Sequence, residues 1–278
     1  MQLGKKEKII AISMTTFLSL IAMLIFIYPV YWLLTISLKT QIEAFRTPPS
    51  WIFVPTFKHY VRLFAQADFL RYFTNSIAVS IGATFFALLL GVPAAYSLSR
   101  GKFRGKNKVL FAILASQMVP PILFIIPYFT VFVRINLIDT RIGLIIISLS
   151  FTLALVTWSL RAFFDDIPVE LEEAARIDGA SDLQTFIKVI LPLVSTGAVA
   201  AGITSMILCW NQFLFPLVLT RSRAITATVA LMKFIASEAE DWGLMTSGSI
   251  ILTLPVLLFS VLIRKYMARG LVSGALKG

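Results

Sequence analysis

The chain has 278 residues, of which 58% are hydrophobic and 14% charged, against about 25% charged in an ordinary soluble domain, and its mean hydropathy is +0.87. These proportions exclude a soluble globular domain and identify a membrane protein. The net charge of +11 does not point to nucleic acid, because a membrane chain gathers its Lys and Arg in cytoplasmic loops.

Crossing roughly 30 Å of hydrocarbon takes about 20 apolar residues. Six windows free of Asp, Glu, Lys and Arg have about that length: 9–38, 72–99, 109–133, 142–160, 189–220 and 242–263. They predict an all-α integral membrane protein read as one transmembrane domain, with spans at about 12–37, 72–99, 109–133, 142–161, 193–220 and 243–264. The first window follows Lys5, Lys6 and Lys8; it is too long for a signal-peptide core and lacks a small-residue cleavage site, so it reads as a retained anchor. Segment 39–71 contains "TPPSWIFVP", is too long and aromatic for a simple turn, and is expected to pack on the outer face. His59, the only histidine, reads as a surface residue of that loop. "QMVPP" in the third window predicts a bend or gating point at Pro120 and Pro121. Cys209, the single cysteine, sits in an apolar run as a small buried hydrophobe and excludes an intrachain disulfide.

Six spans put both termini on one side. With that side cytoplasmic, fifteen of the 25 Lys and Arg residues lie inside, five of them in the short loop "RGKFRGKNK", as the positive-inside rule requires. The expected orientation is therefore N-in and C-in. Segment 161–188 lies on the same side, between spans 4 and 5, yet carries seven acids and three bases. Its charges were not chosen by topology.

Within it, "VELEEAARID" is rich in helix formers, and Gly179 fits the position past a helix end where a left-handed conformation is needed. Ser181 with Gln184 makes a capping-box start. Leu183, Phe186, Ile187, Ile190 and Leu191 then follow helical spacing, and Pro192 marks a bend into the fifth span. The prediction is a cytoplasmic helix-turn-helix segment over about 164–192. An amphipathic pair lying on anionic lipid would carry Lys and Arg; Glu172, Glu173, Asp178 and Asp182 point instead to a basic protein partner.

"EAARIDGA" followed by "VILP" resembles the EAA signature of the membrane subunits of ATP-binding-cassette (ABC) importers: Glu-Ala-Ala, three residues, Gly, nine residues, then Ile-x-Leu-Pro. Here these places are Glu173, Ala174, Ala175, Gly179, Val189, Leu191 and Pro192, with Val189 where Ile is usual. "NSIAVS", "AAYSLSRGKFRGKN", "WNQFLFPLVLT" and "GLVSGALKG" are similar to the carbohydrate-importer branch of the maltose-permease type. The resemblance implies a six-span permease subunit in the bacterial cytoplasmic membrane, with a coupling helix docked in a cleft of a homodimeric or heterodimeric cytoplasmic ATPase. It also implies a second homologous permease subunit and an extracytoplasmic solute-binding protein. Glu172, Glu173, Ala174, Ala175, Asp178, Gly179 and Ala180 become the ATPase-docking residues, with Glu173 facing a basic residue and Gly179 making the sharp turn. In the family, the stretch matching 270–278 reaches toward the ATPase dimer interface and the loop matching 221–241 reaches into the binding protein.

No nucleotide site is evident in the chain itself. The nearest approach to Gly-x4-Gly-Lys-Ser/Thr is "GKFRGKN", with three intervening residues and Asn after the Lys, and it is not a P-loop. HExxH and GxSxG are missing from the sequence. The chain is expected to be a transport subunit rather than an enzyme, without cofactor or metal, ATP and Mg²⁺ belonging to the partner ATPase. Polar groups at membrane depth are costly and therefore suspects for a substrate path. Asn211 and Gln212, beside Trp210 in "CWNQF", suit hydroxyl-rich sugars, although a helix-to-helix hydrogen bond of about 1 kcal/mol is the competing role. Asn75, Ser76 and Gln117 are further candidates. The charge-free windows leave no carrier for the proton or sodium coupling of a secondary transporter, and a membrane scaffold would show no ATP-dependent flux. The resemblance to the carbohydrate-importer branch implies a sugar, oligosaccharide or polyol as cargo.

Overall fold

The structure is a computed structural model that describes residues 5–66, 68–236 and 241–275, with side chains described over 13–65, 68–234 and 241–264. Among the described residues every regular element is helical. Helices satisfy all their backbone groups internally, which is what a chain this apolar needs in lipid.

In chain order the helices are α1 (Lys5–Ser37), α2 (Gln41–Ala44), α3 (Lys58–Gln66), α4 (Phe69–Arg100), α5 (Lys106–Met118), α6 (Ile125–Arg134), α7 (Arg141–Asp165), α8 (Glu170–Ile177), α9 (Asp182–Thr185), α10 (Leu191–Trp210), α11 (Leu214–Leu219), α12 (Ala227–Ala236) and α13 (Trp242–Ala275). Among the described residues five helices are long and apolar enough to cross a membrane, Ser13–Ser37, Phe69–Arg100, Arg141–Asp165, Asp182–Trp210 and Trp242–Arg264, and the bent pair Lys106–Met118 with Pro121–Arg134 makes a sixth if it is one span. The chain divides into two compact units, one of Met1–Phe69 with Leu231–Thr253 and one of Leu70–Ala230 with Leu254–Gly278.

In the first unit, α1 presents an apolar surface along its length, with Phe17, Leu24, Ile25 and Phe26 exposed. The segment after it folds back on the end of α1. Thr56 N donates to Leu38 O at 2.8 Å, Ser37 Oγ and Tyr60 Oη share a hydrogen bond of 2.8 Å, and Lys39 Nζ donates to Ser50 O at 2.7 Å. His59 is not a surface residue: it is only 8% exposed. Its Nε2 lies 3.0 Å from Lys39 O and its Nδ1 3.9 Å from Asp241. Asp241, at the head of α13, also pairs with Arg62 at 2.6 Å. The histidine, on α3, is buried because the start of α13 closes over it, with Asp241 and Gly243 against its ring.

In the second unit, α4, α7 and α10 share a core of Ala87, Val156, Leu160, Phe164, Ile190 and Val194. Gly197 lets α10 approach α7 closely, since a Cβ there would lie 2.5 Å from the Phe163 ring. Two windows depart from single straight spans. The third is α5 and a 3₁₀ turn (Pro121–Phe124) leading into α6, with a bend of 96° between the two arms. Val119 takes the extended conformation (ψ 124°) that a following proline imposes, and Pro120 and Pro121 supply no N–H to continue the helix. The fifth window is α10, a break at 211–213 and α11. Pro216 in α11 has no N–H for the carbonyl four residues earlier, that of Gln212; Thr228 Oγ1 donates to it instead, at 2.9 Å. Pro192 does not interrupt the helix: a π-helical turn over Phe186–Ile190 shifts the bonding by one residue, and α9 runs on into α10 as one 29-residue stretch.

The backbone of α13 continues through Gly270 to Ala275, so Gly270 and Gly274 are helical. Residues 276–278, and 237–240 of the acidic stretch in the last loop, lie outside the described residues.

Candidate docking corner and translocation cavity

Glu, Ala and Leu make α8, and Gly179 ends it. Its φ is +86°, a left-handed conformation that glycine adopts without steric cost. Ala180 N donates to Ala175 O and Gly179 N to Arg176 O, both at 3.0 Å, which is the paired closure of a Schellman motif. Two residues on, Ser181 Oγ accepts from Gln184 N at 3.3 Å and Ser181 N donates to Gln184 Oε1 at 3.0 Å. Both halves of the capping box are formed. Arg176 Nε reaches across the corner to Asp182 at 2.9 Å. Glu173, Ala174, Asp178 and Gly179 are exposed, and Ala175 and Ala180 are half-buried. Ile177 is 86% exposed and Leu183 67%, so the corner presents apolar side chains beside acids.

Glu172 does not belong to that exposed face. It is 2% exposed, accepting from Arg100 Nε at 2.6 Å and from Tyr96 Oη at 2.9 Å. Arg100 Nη2 donates in turn to Ile167 O at 2.7 Å. Helical spacing explains the split: with Leu171, Ala174 and Ala175 on other azimuths, Glu172 and Glu173 lie about 100° apart around α8. Ser99 Oγ donates to Asp165 Oδ1 at 2.5 Å, a second tie between α4 and the end of α7.

A cavity of about 330 Å³ lies where the break after α10 faces α7 and the bend before α6; Gln117, Ser148, Phe151, Thr152, Cys209, Gln212 and Phe215 are among its lining. Gln212 Oε1 accepts from Ser148 Oγ at 2.5 Å, and Gln117 Nε2 donates to Phe151 O at 3.1 Å. Among the described residues no partner engages Gln212 Nε2 or Gln117 Oε1. Asn211 is exposed and donates to Ile207 O of its own helix at 3.0 Å, outside the cavity lining. Trp210 is buried, edge-on to Phe73 at 5.4 Å.

Asn75 is 0% exposed and fully engaged. Its Nδ2 donates to Arg223 O at 3.0 Å and Ile225 O at 2.8 Å, while Oδ1 accepts from Arg141 Nε at 2.7 Å. Ser76 Oγ accepts from Ala227 N at 2.9 Å. These residues fasten a strap, 220–228, to the head of α4. Asp139 grips the same strap. Its carboxylate accepts from Arg221 N, Ser222 N, Arg223 N and Ala224 N at 3.0–3.2 Å. Burial alone would raise its pKa, but the backbone donors, led by Arg223 and Ala224, hold it well below the usual carboxylate range.

The family model described as "Binding-protein-dependent transport system inner membrane component" matches residues 87–271, including the corner, the cavity and most of α13. The chain belongs to that family. The permease is similar to the trehalose transport system permease protein SugB of Mycobacterium tuberculosis, with 38% identity over 255 residues, 90% of this chain and 92% of that one. It is also similar to the trehalose/maltose transport system permease protein MalG of Thermococcus litoralis, with 30% identity over 260 residues, 92% and 93% of the two chains. Among solved structures it resembles a bacterial ABC transporter involved in the import of the acidic polysaccharide alginate, with a TM-score of 0.75, 25% identity, and coverage of 96% of this chain and 99% of that one. It is thus an inner-membrane permease of the ABC type.

Sequence reasoning did not single out Arg100, Tyr96, Asp139, Arg141 or Ser148 of the permease. Arg100 was one of five bases in a loop, and nothing in "RGKFRGKNK" distinguishes the inward one. Asp139 had a faint signal: an acid directly before the Thr140 cap of α7, in a left-handed conformation (φ +57°) that Asp tolerates.

Proposed function

We propose that the permease carries a sugar or oligosaccharide across the inner membrane, driven by a separate ATPase that docks on the α8–α9 corner. The observation that carries the docking reading is the corner itself: a Schellman-closed, left-handed Gly179 flanked by exposed Glu173 and Asp178. An exposed acid beside a fixed turn suits a basic socket, and the exposed Ile177 and Leu183 supply apolar area for the same contact. ATP and Mg²⁺ belong to that partner. A second homologous permease completes the path, and the family's dependence on a binding protein assigns delivery to an extracytoplasmic subunit. The corner is on the cytoplasmic side, as the Lys and Arg distribution demands.

The sugar class rests on the relatives, whose names specify trehalose, trehalose with maltose, and alginate. The cavity supports it. Among the described residues Gln212 Nε2 and Gln117 Oε1 have no protein partner, and Phe151 and Phe215, stacked at 5.1 Å, line the same cavity. Paired amide groups over aromatic rings match a ring of hydroxyls with apolar faces. The test is uptake into proteoliposomes containing both permeases and the ATPase, with binding protein and a labelled disaccharide outside. Accumulation only with internal ATP is expected; accumulation without it would return the chain to secondary transport.

A further inference from the structure

Each helix next to the docking corner needs some connection if a movement there is to reach the cavity. Helix α10 has a covalent one, since Asp182–Trp210 is a single helical stretch, and α7 joins α8 through a four-residue link. Helix α4 has none. It reaches the corner only through side chains at its last turn, chiefly the buried Arg100 to Glu172 pair at 2.6 Å, with 16% and 3% side-chain exposure. Tyr96 adds its hydroxyl to Glu172 and packs its ring between Phe164 at 5.6 Å and Phe186 at 4.8 Å. At the other end of α4, Asn75 and Ser76 hold the strap by the carbonyls of Arg223 and Ile225 and the N–H of Ala227. The strap's Thr228 holds the carbonyl of Gln212, whose side chain lines the cavity.

We infer that Glu172 and Arg100 form a latch that makes α4 a rod between the ATPase-docking corner and the Gln212 cavity. The inference rests on the docking reading above. From Asn75 to Arg100 the rod spans about 38 Å at 1.5 Å per residue, and it stays helical through Pro93. A paired and desolvated charge transmits displacement better than an exposed one, because neither partner can exchange its contact for water without a large cost. Arg100 is fixed from two directions, by the Glu172 carboxylate and the Ile167 carbonyl, so α8 cannot move while α4 stays behind. Glu172 and Arg100 are positioning residues: neither touches the cavity.

The test is the number of solute molecules accumulated per ATP hydrolysed by the complete transporter in proteoliposomes, for wild type, E172Q, R100K and Y96F. This ratio does not depend on how much of the complex is active, so simple destabilisation leaves it unchanged. E172Q and R100K are expected to lower it by about 2- to 30-fold, the range that substitutions within coupling networks cover, with Y96F at the low end and the ATPase still co-purifying. Uptake and hydrolysis falling in proportion, with an unchanged ratio in all three variants, would overturn the latch. R100K and Y96F keep the question open to refutation where E172Q does not fold. E173K distinguishes the premise: if it leaves ATPase co-purification intact, the docking reading fails and the latch with it.

Discussion

Replacement of Gly179 isolates backbone conformation from contact at the docking corner. The residue sits at φ +86°, and a Cβ built on it meets nothing within 4 Å, so Ala adds no clash within this chain. The cost is conformational alone, about 1–2 kcal/mol for a non-glycine residue in the left-handed region, equivalent to roughly a 5- to 30-fold change in a two-state population. Asn tolerates that region better than Ala. Pro fixes φ near −65° and also removes the N–H that bonds Arg176 O at 3.0 Å. The expected order of ATP-driven uptake in proteoliposomes is wild type and G179N, then G179A with partial loss, then G179P with none, while all four chains insert in equal amounts. G179N and G179A both falling as low as G179P, with ATPase co-purification lost, would refute the reasoning. Gly179 would then be required for space against a partner rather than for its own conformation.

In the cavity, Q212L should reduce uptake several-fold without altering assembly of the complex, whereas N211L, whose side chain caps its own helix, should have the smaller effect. The uptake of the two variants, compared at equal complex yield, decides between them. D139N should loosen the strap 220–228 and lower the melting temperature of the detergent-solubilised protein by a few degrees. Because the folded carboxylate is held below its ordinary value, its contribution is fully present above the unfolded value of about 3.9 and is lost only as pH falls through the lowered folded one. The difference between wild type and D139N should therefore stay constant from pH 8 to 5. G197V should drive side-chain carbon into the Phe163 ring and cost about 1–3 kcal/mol by overpacking, measured as thermal stability; an unchanged melting temperature would mean that α7 and α10 are less closely packed.

The corner was legible because its determinants are local. A left-handed glycine, a Schellman closure and a capping box each depend on a few consecutive residues, and "ARIDGASDLQ" contains all of them. The expected span count followed from length and apolar composition. The breaks were only half legible: prolines announced a bend after Met118, but its 96° depends on how α6 packs. Pro216 hid the end of α10 because its effect falls on a carbonyl four residues earlier. Residue roles set by distant partners were not legible at all. Asn75 read as a substrate-path residue, yet its donors and acceptor are engaged by Arg223, Ile225 and Arg141. His59 read as a surface residue and is buried against Lys39 and Asp241.

By itself, then, the sequence determined that this chain lives in lipid, where its apolar segments lie along the chain, and that an acidic, glycine-broken corner projects from an otherwise basic set of loops. These properties are sums over composition or short-range rules of backbone geometry. Tertiary structure alone decided which of two adjacent acids faces outward. Glu173 is exposed on the surface, while Glu172 is desolvated against an arginine 72 residues earlier in the chain. Neighbours in sequence differ by about 100° around a helix, and only the packing of α4 against α8 determines which azimuth is inside.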